Sequence, residues 1–245
     1  MDSSLESGTV QIWYTRPELI GDVELFSAYR RLLSSEERAR EERFRFPKDR
    51  LIYLTTQALL RISLSRVVRR HPAEWQFVRN EFGRPELRPS RDTPPIDFNV
   101  SHTNGLTACV LAWNKPSGID VEDLRREFDP VELADRFFSP AEANDVRRCP
   151  ARKRKERFLS YWTLKESYVK ARGMGLQLPL DSFSFQLPRE RAATINFTDE
   201  LGNRSKNWQF AQFYPTTAHV LAVCIACATG PDLSIQLRET IPLLD

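Results

Sequence analysis

The sequence is poor in cysteine, histidine and glycine, and this limits the chemistry that it can support. Its 245 residues include four cysteines, three histidines and nine glycines. Cys109, Cys224 and Cys227 lie in apolar runs typical of strands, where a free thiol packs as a small hydrophobic group. Cys224 and Cys227 form a C-x-x-C pair, but residues three apart on a strand point to opposite faces, and no second pair completes a zinc site. The cysteines therefore give little support to metal-thiolate or redox chemistry.

Long apolar runs and a strong charge of one sign are also missing. No run reaches the ~20 apolar residues that a membrane span needs, and no secretory signal pattern opens the chain, so we expect a cytoplasmic protein without a membrane partner. The 36 basic and 33 acidic residues give a net charge of +3, which argues against general nucleic-acid binding. With 41% hydrophobic and 28% charged residues, the chain can form one sizeable core or two smaller ones.

The order of predicted elements repeats along the chain. A helix from about Asp49 to Arg69 precedes an apolar strand from Leu106 to Trp113, and a second helix precedes a similar strand from Val220 to Ala226. This order predicts an α+β fold of two similar α/β halves related by pseudo-twofold symmetry. Each half is a long helix packed on a small antiparallel sheet. We place the halves at residues 1–115 and 116–245, and we expect a cleft where they meet.

The second predicted helix carries an ordered set of polar side chains. Trp162, Glu166 and Lys170 are spaced four apart, so they lie on one helix face with about 6 Å of rise between neighbours. A Glu-x-x-x-Lys pair is usually a surface ion pair worth a few tenths of a kcal/mol. The nearby Trp162 favours a functional role, because a charged pair beside an apolar wall is costly.

Two carboxylates lie on one face of the strand that opens the second half. In Gly118-Ile119-Asp120-Val121-Glu122, Asp120 and Glu122 alternate with apolar residues, and their Cα atoms are roughly 6.6 Å apart. Such a pair commonly marks the solvated face of a sheet. Two like charges this close are tolerated best with a cation between them, so a cation site is the functional interpretation.

Two further patterns each have a structural and a functional interpretation. Ser101 and His102 fall where a predicted strand ends, and His102 is either a structural histidine or a contact for an anion. Residues 147–157 are strongly basic, which is typical of a solvated helix face and also suits docking of an acidic protein. In residues 34–50, Ser34 and Glu37 have capping-box spacing, and most of the remaining charges there can pair with each other along a helix.

Three segments, in this order and spacing, closely resemble the signature motifs of the phosphopantetheinyl transferases. They are Phe98-Asn99-Val100-Ser101-His102, Gly118-Ile119-Asp120-Val121-Glu122 and Trp162-Thr163-Leu164-Lys165-Glu166-Ser167-Tyr168-Val169-Lys170. The likeness is to the longer, two-halved Sfp type and covers about residues 10 to 228. It implies transfer of the 4'-phosphopantetheine arm of coenzyme A to a serine of an apo acyl or peptidyl carrier protein. It also implies Mg²⁺, release of adenosine 3',5'-bisphosphate, an acidic helical protein partner and a monomeric enzyme.

The resemblance also assigns roles to individual residues. The C-terminal half would hold the metal through Asp120, Glu122 and Glu166, which are three hard oxygen ligands of the kind that Mg²⁺ takes. Glu166 is the expected base, with Lys170 on a phosphate oxygen and Lys165 supporting the same site. The N-terminal half would hold the 3'-phosphate end of coenzyme A through Arg40, Arg50, Arg84, Ser101 and His102. Glu37 falls where some relatives carry lysine, which departs from that pattern.

Two functions of other classes remain as alternatives. A basic protein-binding module using residues 147–157 needs neither metal nor coenzyme A, so a thermal-shift assay with coenzyme A and magnesium separates it from a transferase. A serine hydrolase using Ser101 would keep its activity in EDTA and lose it in Ser101→Ala. Adjacent residues cannot easily aim at each other, and the sequence contains no G-x-S-x-G motif, so the hydrolase is the weaker alternative.

Overall fold

The protein has the α+β fold that the sequence predicts. The computed structural model describes residues 8–175, 178–187, 194–197, 208–227 and 233–244. It divides into two compact units. Unit 1 comprises Met1–Glu81, Pro85–Asn114 and Leu233–Asp245, and unit 2 comprises Phe82–Arg84 and Lys115–Asp232. No helix within the described ranges is both long enough and apolar enough to cross a membrane.

Unit 1 contains a four-stranded sheet in the order β11-β1-β5-β4. Its strands are β1 (Thr9–Thr15), β4 (Ile96–Thr103), β5 (Leu106–Trp113) and β11 (Ser234–Glu239). β5 pairs antiparallel with both β1 and β4, whereas β11 runs parallel to β1. Gly105 has φ +83° in the turn between β4 and β5, a conformation that a glycine adopts without strain. A short antiparallel pair, β2 (Phe77–Arg79) with β3 (Pro85–Leu87), completes the strands described for this unit.

The helices of unit 1 are α1 (Val23–Leu32), α2 (Ser35–Glu42) and α3 (Pro47–Val67). α3 begins with Pro47, which the first turn of a helix accepts because its amide has no partner there. It packs on β5, and its buried Leu60 and Leu64 join Trp75, Phe98 and Leu111 in one hydrophobic cluster. The predicted capping box at the start of α2 is confirmed, since Ser34 and Glu37 each bond the other's backbone N–H.

Within its described residues, unit 2 contains a three-stranded antiparallel sheet and three α-helices. The sheet has the order β6-β10-β9, with β6 (Ser117–Asp123), β9 (Trp208–Thr216) and β10 (His219–Ala226). The helices are α4 (Pro130–Phe137), α5 (Pro140–Arg148) and α6 (Ala151–Arg172), and β7 (Phe183–Gln186) forms a hairpin with β8 (Thr194–Phe197). α6 lies across β6 and β10 and buries Leu164 and Tyr168 completely. It ends at Gly173, whose φ of +65° is typical of a helix C-terminus.

The final strand joins the first unit. β11 pairs with β1 in a register that brings Ser234 opposite Thr9 and Glu239 opposite Tyr14. The division made from the sequence placed all of residues 116–245 in the C-terminal half, whereas Leu233–Asp245 belong to unit 1. The sequences of β1 and β11 do not reveal this pairing, because strands so far apart in the chain impose no pattern on each other's residues.

Gly118 allows α6 to approach β6 very closely. A Cβ at this position would overlap the backbone O of Ser167 and the backbone N of Ala171, and would lie 3.1 Å from the Cα of Ala171. Both neighbours belong to the helix backbone, so no change of side-chain rotamer can make room. The closeness of α6 to β6 therefore depends on the absence of a side chain at residue 118.

We predict that Gly118→Ala displaces α6 and destabilises the protein by at least about 3 kcal/mol, the upper end of the usual cost of overpacking, because only backbone can move. Thermal or urea unfolding measures this change. Gly21→Ala is the matched control, since a Cβ there meets nothing within 4 Å and the backbone is not in the left-handed region. Equal stability of the two variants would show that α6 does not need this close approach.

Candidate active site

Four of the predicted site residues meet where α6 lies against β6. Asp120 and Glu122 come from β6, and Glu166 and Lys170 come from one face of α6. The ammonium Nζ of Lys170 lies 2.7 Å from Oδ1 of Asp120 and donates to the carbonyl O of Ile119 at 3.1 Å. We call these four side chains the carboxylate cluster. The structure thus brings together residues that are about fifty positions apart in the sequence.

Ionisation of Glu122 and Glu166 is disfavoured by their burial and by the neighbouring carboxylates. Burial raises the pKa of Glu122, and Asp120 raises it further, while Arg126 and Lys170 act in the other direction. Burial also raises the pKa of Glu166, with Asp120 and Glu122 adding to the effect and Lys170 opposing it. The cluster therefore holds more negative charge than Lys170 neutralises, and an added cation would be stabilised there.

The donor set suits a hard divalent cation. Carboxylate oxygens are the protein ligands that Mg²⁺ prefers, and it keeps further positions for water and phosphate oxygens. Within the described residues, no three His, Cys, Asp or Glu side chains are already grouped around one point as metal ligands. Lys170 occupies the cationic position beside Asp120, and Arg126 Nη1 lies 3.5 Å from Glu122 Oε1. The ligand type and the charge fit Mg²⁺. Binding of the ion would require Lys170 and Arg126 to move away from the carboxylates.

Trp162 packs one turn before Glu166 on α6. Its ring lies 5.7 Å from Phe158 in a stacked geometry and 5.8 Å from Phe137 in an edge-on geometry. Phe138 extends this aromatic group through a stacked contact with Phe158 at 4.8 Å. The apolar wall expected near the Glu166 and Lys170 pair is therefore present on the helix, and it belongs to the core of unit 2.

Lys165 lies in a different environment from its neighbour Glu166. Adjacent residues of a helix point about 100° apart, and Lys165 is directed into the core. It is completely buried, and its Nζ lies 2.9 Å from Oε2 of Glu142. The resemblance implies that Lys165 supports the carboxylate cluster, and in the structure its ammonium pairs with Glu142.

Glu142 has more partners than its sequence pattern indicates. The Ser-Pro-x-Glu pattern predicts a capping box at the start of α5, and Glu142 does accept from the backbone N of Ser139 at 3.0 Å. Its second carboxylate oxygen accepts from the backbone N of Phe185 at 2.8 Å. The capping pattern could reveal the first contact, while those with Lys165 and Phe185 depend on long-range packing. The role of Gly118 was missed for the same reason.

In unit 1, two of the predicted binding residues line a cavity of about 1100 Å³. Arg40 and His102 contribute to its wall, and the other charged lining residues are Glu36, Glu37, Asp49, Arg61, Arg79 and Arg88. The guanidinium carbon of Arg40 lies 5.7 Å from the ring centre of Tyr53. Burial raises the pKa of Tyr53 to about 12, and Glu37 adds to the effect, so the phenol stays protonated and can donate a hydrogen bond. The cavity thus offers several donors and positive groups to an anion.

Glu37 forms an ion pair with a buried arginine beside this cavity. Arg61 Nη2 donates to Glu37 Oε2 at 2.6 Å, and Arg61 Nη1 donates to the carbonyl O of Trp75 at 2.8 Å. Because Arg61 is buried, its charge needs a carboxylate partner there. Glu37, the position that departs from the family pattern, therefore balances Arg61.

The remaining predicted binding residues occupy three other environments. Ser101 is buried and lies next to exposed His102 on β4, and adjacent strand residues point to opposite faces. Arg50 forms an ion pair with buried Glu41, and the hydrogen bond that Arg50 donates to this carboxylate raises the pKa of Arg50. Arg84 belongs to unit 2, where its Nη2 donates to the carbonyl O of Ser117 at 3.1 Å.

Two family models match the chain. A model of the 4'-phosphopantetheinyl transferase superfamily matches residues 116–224, and a model described as 4'-phosphopantetheinyl transferase, N-terminal, matches residues 22–114. The first includes the whole carboxylate cluster, and the second includes Arg40, Ser101 and His102. The two matches therefore cover both groups of predicted site residues.

Individual relatives agree with these models. The 4'-phosphopantetheinyl transferase Sfp of Bacillus subtilis (strain 168) is 32% identical over 190 residues, which cover 77% of this chain and 80% of that protein. The 4'-phosphopantetheinyl transferase HetI of Nostoc sp. is 31% identical over 194 residues, which cover 79% of this chain and 78% of that protein. The chain belongs to the 4'-phosphopantetheinyl transferase superfamily and is an enzyme of this class.

We predict that Glu166→Gln stabilises the metal-free protein above neutral pH. A carboxyl with a raised pKa destabilises the folded state once it ionises, so wild-type stability falls as pH rises from the ordinary value of 4.5 through the raised one. In EDTA at pH 8, the melting temperature of the variant should exceed that of the wild type by roughly 2–4 °C, which corresponds to about 1 kcal/mol. The difference should disappear as the pH approaches 4.5.

Glu156→Gln is the matched control, because Glu156 is exposed on the same helix, nearly three turns before Glu166. Its melting temperature should follow that of the wild type at every pH. A Glu166→Gln variant that is less stable than the wild type at pH 8 would contradict the repulsion described for the cluster.

Proposed function

We propose that the protein transfers the 4'-phosphopantetheine arm of coenzyme A to a serine of an apo acyl or peptidyl carrier protein. The products are the holo carrier protein and adenosine 3',5'-bisphosphate. The observation that carries the proposal is the placement of Glu166 and Lys170 of α6 beside Asp120 and Glu122 of β6, with Lys170 Nζ 2.7 Å from Asp120. This cluster can hold a cation, accept a proton and contact a phosphate within one small region.

The reaction replaces the phosphoanhydride linkage of coenzyme A with a phosphate ester of the carrier serine. The serine oxygen of the carrier protein attacks the phosphorus that bears the pantetheine, a new O–P bond forms, and the P–O bond to the second phosphate breaks. The electron pair of that bond leaves with adenosine 3',5'-bisphosphate. Mg²⁺ bound by Asp120, Glu122 and Glu166 would supply neutralisation of the phosphate charge.

Glu166 is the proposed acceptor of the serine proton. A carboxylate beside the reacting phosphate can accept this proton directly or through a water molecule. Lys170, one turn further along α6, is proposed to hold a phosphate oxygen of the substrate. In the structure its ammonium bonds Asp120 and the Ile119 carbonyl, so it is already directed towards the carboxylates.

The cavity of unit 1 is the proposed site for the adenylate end of coenzyme A. Arg40 and His102 line it, and its volume of about 1100 Å³ is sufficient for a large ligand. Arg40 would attract the 3'-phosphate through charge, and His102 would donate a hydrogen bond. Ser101, Arg50 and Arg84 remain proposed contacts that carry less support, because each lies in a different environment.

The basic segment at residues 147–157 supports the proposal that an acidic carrier protein docks on the enzyme. Several of its members already pair within unit 2, including Arg157 with Asp145 and Lys155 with Glu127. Arg148, Arg152 and Lys153 are exposed and can meet the acidic surface of a helical carrier protein. We place this reaction in the cytoplasm, which accords with the four free cysteines, and we propose that the enzyme acts as a monomer.

The geometry disfavours a serine hydrolase. Ser101 is buried, with 6% exposure. His102 lies on the opposite face of β4, so its ring points away from the Ser101 hydroxyl. A nucleophilic serine needs its base within hydrogen-bond reach and an open path for the substrate. Ser101 therefore does not have the setting of a catalytic nucleophile.

The transfer assay tests the proposal directly. The enzyme is incubated with coenzyme A, Mg²⁺ and a panel of apo carrier proteins, and mass spectrometry detects a gain of roughly 340 Da on a carrier. Asp120→Ala should abolish this gain and keep the fold, because it removes one of three repelling carboxylates. Asp135→Ala, which removes the exposed partner of Arg147, is the control and should transfer normally. Normal Mg²⁺-dependent transfer by Asp120→Ala would refute the metal assignment.

A second prediction concerns the phosphate end of the substrate. If His102 contacts the 3'-phosphate, His102→Ala should raise KM for coenzyme A several-fold more than KM for 3'-dephospho-coenzyme A, because only the former can lose that contact. Steady-state kinetics with both substrates measures the difference. His71→Ala is the control, since His71 caps a short helical turn and is not among the cavity-lining residues. Equal losses for both substrates in His102→Ala would return His102 to a structural role.

A further inference from the structure

The most deeply buried ion pair described in the structure lies beside the carboxylate cluster in sequence but outside it in space. Lys165 Nζ and Glu142 Oε2 are 2.9 Å apart, and their side chains are 0% and 1% exposed. Burial lowers the pKa of Lys165, and Glu142 opposes this effect. A buried charge of this kind is retained only with a partner, so each residue depends on the other.

The pair is part of a completed polar network. Lys165 Nζ donates to the carbonyl O of Leu180 and to that of Phe183, both at 2.6 Å, and it lies 4.4 Å from the ring centre of Phe183. Glu142 accepts from the hydroxyl of Ser139 at 2.8 Å and from the backbone N of Phe185 at 2.8 Å. The network therefore joins four segments: the first turn of α5, the middle of α6, the turn at Leu180–Ser182 and β7.

This network fixes how α6 is turned about its own axis. Lys165 immediately precedes Glu166, so a rotation of α6 that moved Glu166 would also pull the Lys165 ammonium away from its three oxygen partners. On its other side the helix backbone is packed against Gly118 of β6. α6 is thus held on two sides at the level of the cluster, by a close backbone approach and by a buried charge.

We infer that Glu142 and Lys165 are positioning residues, which hold α6 so that Glu166 and Lys170 face Asp120 and Glu122. The inference rests on the proposed function for its kinetic consequence, since it assigns the pair an effect on the rate of transfer. Lys165 acts through Glu166 and Lys170, and Glu142 acts through Lys165. Neither residue needs to contact coenzyme A or the carrier protein.

The test compares Glu142→Gln, Lys165→Met and the double variant. Gln keeps the shape of Glu142 and an acceptor for the capping bonds, and Met fills the volume of the lysine stem. We expect each single variant to lower kcat by at least about tenfold while KM for coenzyme A changes less than about threefold. The double variant should lose no more than the worse single variant, because both substitutions break one interaction.

A direct role of Lys165 on the substrate gives a different pattern. In that case Glu142→Gln keeps the wild-type kcat, Lys165→Met raises KM for coenzyme A, and the effects add. That pattern would overturn the inference, as would wild-type kcat in all three folded variants. If Lys165→Met does not fold, Glu142→Gln alone decides, since only the positioning role makes its kcat fall. Glu239→Gln, in the exposed pair with Arg16 of unit 1, is the control and should match the wild type.

Amide hydrogen exchange supplies a readout that needs no substrate. Residues 161–170 of α6 should exchange faster in Glu142→Gln than in the wild type, while those of α3 in unit 1 should be unchanged. Unchanged exchange in α6 would overturn the inference even if the proposed function fails. Absence of transfer by the wild-type enzyme, with faster exchange in the variant, would instead reject the proposed function and keep the positioning role.

Discussion

The close packing of the α6 backbone on β6 is the constraint on which the candidate active site depends. β6 supplies two carboxylates and α6 supplies the third, together with Lys170. The distance between the helix and the strand therefore sets how closely these four side chains approach one another. Gly118 permits this approach because it adds nothing beyond the backbone. The site is therefore built on regular elements rather than on loops, which gives a catalytic group its most precise support.

The charge of the cluster has an energetic cost that the rest of unit 2 offsets. Three carboxylates near one another disfavour the folded state when they ionise, and one lysine balances them only in part. The aromatic packing of Trp162 and Phe158 and the buried cluster beneath α6 hold the helix in place. A fold stabilised mainly by its core can keep a repelling group of charges ready for a cation, as functional sites commonly do.

Local patterns in the sequence predicted much of this arrangement. The spacing of Glu166 and Lys170 gave their shared helix face, alternation gave that of Asp120 and Glu122, and both capping boxes were recognisable. The residues that pack against a given helix or strand face could not be predicted from such local patterns. Lys165 has the spacing of an ordinary helix residue, and nothing in its neighbours indicates Glu142. The roles proposed for these residues come from the family resemblance, whose three motifs fix their order and spacing.

The parallel pairing of β11 with β1 has a consequence for synthesis of the chain. Thr9 leaves the ribosome more than two hundred residues before its partner Ser234, so unit 1 cannot complete its sheet during most of translation. Throughout that time β1 has an unpaired edge, which is the kind of surface that associates with other chains. The segment Lys115–Asp232 of unit 2 is synthesised after β1 and before β11, and unit 2 has its own core. Unit 2 can therefore fold before β11 is made, and β11 then completes the sheet of the first unit.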